Sequence, residues 1–306
     1  MSEPQPLPYR LALLLPVYRH FPEKLLNEAY RQMGDLEFPT AIYILDDGSP
    51  EPLPELERWS GKRENTYFHR RTPNSGRSAA RNYLASWAQA EYLHFLDDQL
   101  LVTSPEFWAQ LWEQRLPLGV VFGAAYPPDA PAPGTELRWK VARWREFGSF
   151  PPADPYASFK SGHFLAHHSV LQKVQFDEAL TGYGHEDTLL GLALKEKKIP
   201  LEGLDLPVYN AHLDTNSAFL EKVEQSLHNL LFIAHRYPYY ISYFRLLRLL
   251  RFLQRWQVAG LLQVLLAPGQ KWMRQHLQGT NPSLRVFDLY RLSLLLSAQR
   301  SVSKRR

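Results

Sequence analysis

Apolar positions fall in short blocks along the first hundred residues. Tyr9-Arg10-Leu11-Ala12-Leu13-Leu14-Leu15-Pro16 is a nearly continuous apolar run stopped by proline, the pattern of a strand buried on both faces. Pro22 to Met33 carries apolar residues at helical spacing, with a proline suited to the first turn. Thr40 to Leu45 predicts the next strand, Asp46-Asp47-Gly48-Ser49-Pro50 a turn, and Tyr67 to Arg70 a third short strand. A helix over 78–89 and a strand over Tyr92 to Leu96 follow. This alternation predicts an α/β protein, a mostly parallel sheet with helices on both faces. Ligands of such sheets bind beyond the carboxyl ends of the strands. Both Asp-Asp pairs, 46–47 and 97–98, fall at such ends.

The pattern then loosens. Pro127 to Pro155 holds seven prolines and little periodicity, apart from a helical stretch over Thr135 to Phe147. It reads as a long excursion over the active face. Order returns at Phe176 to Pro200, where Gly182-Tyr183-Gly184-His185-Glu186-Asp187 leads into a helix over 188–197. Everything after Asn216 is patterned as helix. On a helical wheel Leu246, Leu249, Leu250 and Leu253 share one face, and Arg245, Arg248, Arg251 and Arg255 another.

With 45% hydrophobic and 22% charged residues the chain has the apolar surface a core requires, which excludes intrinsic disorder. It has no cysteine, which excludes disulfides, thiolate zinc sites and a cysteine nucleophile. Met1 to Pro6 shows no basic region before an apolar run, and no stretch of about 18 apolar residues occurs. The expectation is a cytoplasmic protein with no leader and no membrane span. Charge is unevenly placed: residues 215–306 hold 14 Lys and Arg against 3 Asp and Glu, and residues 1–214 hold 21 against 28. Such a basic tail meets an anionic surface, membrane or nucleic acid, or is an arginine-rich helical subdomain. Arginines set among leucines, with no nucleic-acid module, favour membrane over nucleic acid.

Four constellations can carry chemistry. Asp46-Asp47-Gly48-Ser49 offers carboxylates to the ring N–H groups and hydroxyls of a nucleoside, or is a common turn. Asn74-Ser75-Gly76-Arg77-Ser78-Ala79-Ala80-Arg81-Asn82 sets arginines in the first turns of a helix. Their charge opposes the helix dipole there, so they face phosphate or the strand-end aspartates, or simply coat a surface helix. Asp97-Asp98 repel one another unless a cation or arginine compensates, and hard oxygen donors suit Mg²⁺ or Mn²⁺. Glu186-Asp187 supplies a helix cap, or a general base and a hydroxyl-binding acid. His163, His167 and His168 invite a metal reading, since 163 and 167 would be one helical turn apart.

In this order and at these spacings the motifs resemble one family, the family 2 glycosyltransferases of the nucleotide-diphospho-sugar (GT-A) fold. The likeness spans about residues 9–230 and extends through Pro207-Val208-Tyr209 and Asn216-x-x-Phe219-Leu220-x-Lys222 to a bacterial polysaccharide or lipopolysaccharide subgroup. It implies a GT-A catalytic domain over 1–215, its nucleotide-sugar half at about 9–100 and its acceptor half at 101–215. A basic helical extension over 216–300 and a disordered tail over 301–306 complete the expected division. By the same resemblance Pro16 and Tyr18 lie at the nucleobase, Asp47 meets the base, Arg81 lies near the diphosphate, and Asp46, Arg77 and Asp97 complete the nucleotide-sugar-binding set. Asp98, with His212, would hold a divalent cation. His163 would line the sugar pocket, Glu186 would grip the acceptor, and Asp187 would be the base of an inverting transfer. The implied donor is a UDP-linked hexose or N-acetylhexosamine and the implied acceptor a glycan or lipid-linked glycan. The alternative is a catalytically degenerate binding protein of the same fold. The chain departs from the family pattern at Gln99, where a third acid is usual, and at Asn210, where many relatives have His. Both departures fall beside the metal positions.

Overall fold

The computed structural model describes residues 7–146, 150–210 and 212–303, the side chains of the last four excepted. Met1 to Pro6 and the expected tail over 301–306, apart from the backbone of 301–303, lie outside the described residues. The elements run β1 (Tyr9–Val17), α1 (Glu23–Gly34), β2 (Thr40–Asp47), α2 (Pro54–Ser60), β3 (Thr66–Arg71), α3 (Arg77–Trp87) and β4 (Ala90–Leu96). Next come β5 (Leu100–Leu101), α4 (Phe107–Glu113), β6 (Val120–Tyr126), α5 (Glu136–Val141), α6 (Pro155–Ser158), β7 (His163–His167), α7 (His168–Lys173), α8 (Glu186–Glu196) and β8 (Leu201–Asn210). The remainder is helical: α9 (Asn216–Arg236), α10 (Arg245–Arg255), α11 (Ala259–Leu266), α12 (Gln270–Gln278) and α13 (Leu284–Ser303).

These elements form two compact units. The first takes in the described residues up to Tyr126, then 150–179 and 186–210. Its sheet has eight strands in the order β3-β2-β1-β4-β7-β6-β8-β5. The run β3-β2-β1-β4 is parallel, as is β6 with β8, while β7 opposes both of its neighbours and β5 opposes β8. Alternation along β1 builds two cores. Leu11, Leu13, Leu15 and Val17 pack on the face covered by α1, α2 and α4, and Ala12 and Leu14 on the face covered by α3, α7 and α8. Burial on both faces is why β1 reads as a continuous apolar run. From β1 the chain winds outward to β3, then returns to pair β4 on the other side of β1. At the carboxyl ends of β1 and β4 that reversal is a topological switch point, where such sheets place ligands.

The second unit takes in 127–146, 180–185 and 212–303. The proline-rich stretch thus divides: its first part, with α5 and a π-helical turn at Ala142–Glu146, packs among the later helices, while 150–158 packs with the sheet. Asn216 ties the helical unit together from a buried position. Its side chain accepts the Leu137 N–H (2.8 Å) and donates to Glu136 (3.0 Å) and the Gly279 carbonyl (3.2 Å). Leu137, Phe219, Leu220, Met273, Leu277 and Phe287 fill the core around it. On α10 the buried stripe is Leu247, Leu250 and Leu253. The wheel from sequence is corrected at Leu249, which is exposed with Phe252 and Trp256. Among the described residues no helix is long and apolar enough to cross a membrane.

Candidate active site

The carboxyl end of β2 forms a latch. Asp46 is fully buried; one of its oxygens accepts the Ser49 N–H (2.9 Å) and the other the Arg70 Nε–H (3.2 Å). Asp46, expected beside Asp47 at the nucleotide, thus has both oxygens engaged within the fold, by Ser49 of the turn and by Arg70 of β3. Asp47 accepts the Ser75 hydroxyl (2.5 Å) and the Gly76 N–H (3.0 Å), while the Asn74 amide donates to the Asp47 carbonyl (2.6 Å). The two sequence motifs are therefore one structure, with loop 74–76 strapped onto the end of β2. Gly48 makes it possible. Its φ is +76°, and a Cβ there would stand 2.4 Å from the Asn74 nitrogen, so no other residue fits.

Loop 74–76 delivers α3, whose arginines reach two acidic pairs. Buried Arg81 donates from Nη2 to Asp97 at 2.7 Å, and Arg77 stands 3.8 Å from Glu186. Among the described residues the Nε and Nη1 groups of Arg81 are buried without a hydrogen-bond partner. An unpaired buried guanidinium N–H is costly, and an anion beside it would remove that cost. Burial, and after it the charge of Asp187, pushes the Glu186 carboxyl up, with Arg77 and Arg81 opposing. Burial and then Asp97 push Asp98 up to about 7, while the Tyr18 N–H, donated to that carboxylate, works against them. Buried Asp98 beside Asp97 supplies hard oxygen donors that fit a divalent cation. Among the described residues no three His, Asp or Glu side chains cluster to hold one unaided, so the remaining ligands would come from substrate oxygens or water.

Ser161 and Gly162 join the two acidic pairs. The Asp97 N–H donates to the Gly162 carbonyl (2.8 Å), and the Ser161 hydroxyl donates to Asp187 (2.5 Å). A Cβ on Gly162 would come within 3.1 Å of an Asp97 oxygen, so glycine leaves room for that carboxylate. The structure thus brings Arg77, Arg81, Asp97, Glu186 and Asp187 into one network. Tyr18 stands exposed just beyond β1, with the Arg19 guanidinium 4.9 Å over its ring, and Pro16 is partly buried opposite Leu45. His212 belongs to the helical unit. The sequence did not mark Ser161 as holding Asp187, because that contact depends on β4 pairing with β7.

His163 is buried, with Nε2 3.0 Å from the Leu206 carbonyl and Nδ1 3.0 Å from Nε2 of His94, so both ring nitrogens are engaged within the fold. His163 and His167 lie on a strand, four residues and about 13 Å apart, which removes the helical metal reading. The carbonyl can only accept, so His163 carries its proton on Nε2 and accepts at Nδ1 from His94. A second proton on His163 would meet the His94 N–H, and one on His94 would sit on Nδ1, which is buried with no hydrogen-bond partner among the described residues. Burial holds His163 down at about 4 and lowers His94 well below the ordinary histidine range. Both folded values are depressed, so the unfolded chain binds protons first as pH falls from about 6.5 towards 4. His163 alone should then withdraw about 3 kcal/mol of stability across that window, with none of the loss above it. Chemical unfolding at several pH values checks this: His163→Gln should flatten the dependence, and an unchanged slope would refute the assignment.

The model of Glycosyl transferase family 2 matches residues 13–174, more than half of the chain and most of the network just described. The chain belongs to glycosyltransferase family 2. No curated protein sequence matches it. Among solved structures, a mannosyltransferase from Pyrobaculum calidifontis, determined with GDP-Man and Mn²⁺, aligns over 73% of this chain and 64% of its own. The TM-score is 0.51 and the identity 14%, a likeness of fold. The S. aureus protein TarS aligns as a 1–349 fragment with UDP, at 14% identity over 95% and 92% of the two chains, TM-score 0.48. A longer TarS chain aligns at 16% identity over 72% of this chain, TM-score 0.45, and the present chain spans 40% of it. The architecture is that of GT-A glycosyltransferases, a mixed sheet flanked by helices and followed by a helical region.

Proposed function

We propose that this glycosyltransferase inverts the anomeric centre of a nucleotide-diphospho-sugar, UDP-linked, while transferring the sugar to a hydroxyl of a glycan or lipid-linked glycan. The observation that carries the proposal is Arg81: a buried guanidinium tied to Asp97, with two nitrogens, Nε and Nη1, unpartnered among the described residues. Asp187 removes the proton of the acceptor hydroxyl. The freed oxygen bonds the anomeric carbon as the bond from that carbon to the diphosphate breaks, and the electron pair leaves on the diphosphate. Arg81 and Arg77 stabilise that developing charge. Ser161 fixes the Asp187 rotamer, Glu186 grips the acceptor, Asp47 with its loop and Tyr18 border the nucleotide. Asp98, beside Asp97, would hold a divalent cation, which when bound adds positive charge at the diphosphate. The setting is a cytoplasmic step of polysaccharide assembly, with residues 1–215 as the catalytic domain.

Binding comes before turnover in the test. Thermal shift against a panel of nucleotide sugars, with and without Mn²⁺, should single out one donor, which at a hundred times its Kd stabilises the fold by about 2.7 kcal/mol. A panel that leaves the melting point unmoved would contradict the proposal. Metal use has its own check. Chelator-treated enzyme should lose turnover and recover it with Mn²⁺ or Mg²⁺. Full activity in excess chelator would show that Gln99 accompanies a metal-independent site.

A further inference from the structure

The arginine-rich part of the helical unit has a surface that sugar transfer does not require. α11 (Ala-Gly-Leu-Leu-Gln-Val-Leu-Leu) contains no charged residue and none of its side chains is buried. Leu261, Val264 and Leu265, at helical spacing on one face, are 61, 61 and 66% exposed. On the preceding α10, Leu249, Phe252 and the capping Trp256 form a second exposed apolar stripe, spaced three and four residues apart. Trp272 on α12 is exposed too. Soluble surfaces rarely carry so many large apolar groups together, and such patches mark membrane or protein contacts.

Charge decides between the possible occupants. From residue 225 to residue 287 there are eight basic residues, Arg236, Arg245, Arg248, Arg251, Arg255, Lys271, Arg274 and Arg285, and no acidic one. The four arginines of α10 are exposed beside the apolar stripe, and none has an ion-pair partner among the described residues. A second copy of the chain would set like charge against like charge. A nucleic acid would satisfy the arginines and leave the leucines in water. An anionic bilayer satisfies both, acyl chains taking the apolar side chains and headgroups the guanidinium groups.

We propose that this unit docks on an anionic lipid surface, with α11 and the Phe252–Trp256 stripe entering the interface and the α10 arginines over the headgroups. The surface is independent of the sugar chemistry. Sedimentation of the full chain with phosphatidylcholine vesicles containing about 30% phosphatidylglycerol, at low salt, should show binding, and pure phosphatidylcholine should bind at least about tenfold more weakly. Leu261→Glu combined with Leu265→Glu should cut binding at least about tenfold, and Arg248→Ala or Arg255→Ala about fivefold each. These side chains are solvent-exposed, so melting points should hold, and Trp256 emission should shift to the blue on binding. No binding to the anionic vesicles would overturn the proposal. So would equal binding by the Leu261/Leu265 variant, or binding that the arginine variants leave unchanged.

Discussion

Asp187→Asn should lower turnover by about 10² to 10⁴, the usual contribution of a positioned general base, and leave donor affinity near wild type. The separation is physical. In the proposed mechanism the nucleotide falls to Arg81, Arg77 and the loop strapped to Asp47, whereas Asp187, held by Ser161, is left for the incoming hydroxyl. Asparagine keeps the size and can still accept the Ser161 hydroxyl, but it cannot take a proton at neutral pH. Glu186→Gln should behave differently, raising the apparent KM for acceptor more than it lowers kcat. Were Asp187 only a helix cap, asparagine would serve as well and activity would survive. Initial rates and donor titrations on the two variants decide this. A near-active Asp187→Asn enzyme would move the base to Glu186.

Arg81→Gln should cost about 10² to 10³ in kcat, the scale seen when one donor to a developing oxyanion is removed, and should weaken donor binding as well. Arg81→Lys should recover little. It keeps the charge but not the fork that reaches Asp97 through Nη2 while Nε and Nη1 stay available for the proposed diphosphate. Stability must be read alongside, because removing Arg81 leaves Asp97 without its partner. Asp97 is 39% exposed on its side chain, so water takes over much of that role and the fold should survive. Calorimetric titration with the selected donor, beside a melting curve, separates the two effects. Unchanged donor affinity in a folded Arg81→Gln protein would remove Arg81 from the site.

How much of this was legible depended on whether a feature is local. β1, α1, β2 and β4 announce themselves because both faces of the inner strands are covered, which forces unbroken apolar runs, and because α1 buries one stripe. β8 is harder. Pro207 lies within it, which argues against a paired strand, and the structure accommodates it where the pairing of β6 with β8 shifts register after Gly123. β7 is five residues long and antiparallel to a strand far away in sequence, so nothing local identifies it. The site divides in the same way. Glu186 and Asp187 stand out as consecutive acids after a glycine-rich turn, and Arg81 as a cation opposing a helix dipole. The surroundings of Asp46 and His163 depend on Arg70 and His94, 24 and 69 residues away along the chain, and no local pattern pairs them. An acid next to a catalytic candidate, or a histidine near one, carries no mark of whether its oxygens or nitrogens will be consumed inside the fold. Arg81 shows the converse, since its functional promise lies in two N–H groups left over once Asp97 is satisfied.

Inversion by attack from the face opposite the diphosphate is the centre of this account, and the anomer of the released sugar reports it without knowledge of the natural acceptor. Proton NMR should follow slow hydrolysis of the selected α-linked nucleotide sugar, with water in the acceptor position and enzyme in excess over background. The β-anomer should form first and relax to the equilibrium mixture only by mutarotation. An α-anomer as the first product would contradict a single displacement with Asp187 as base.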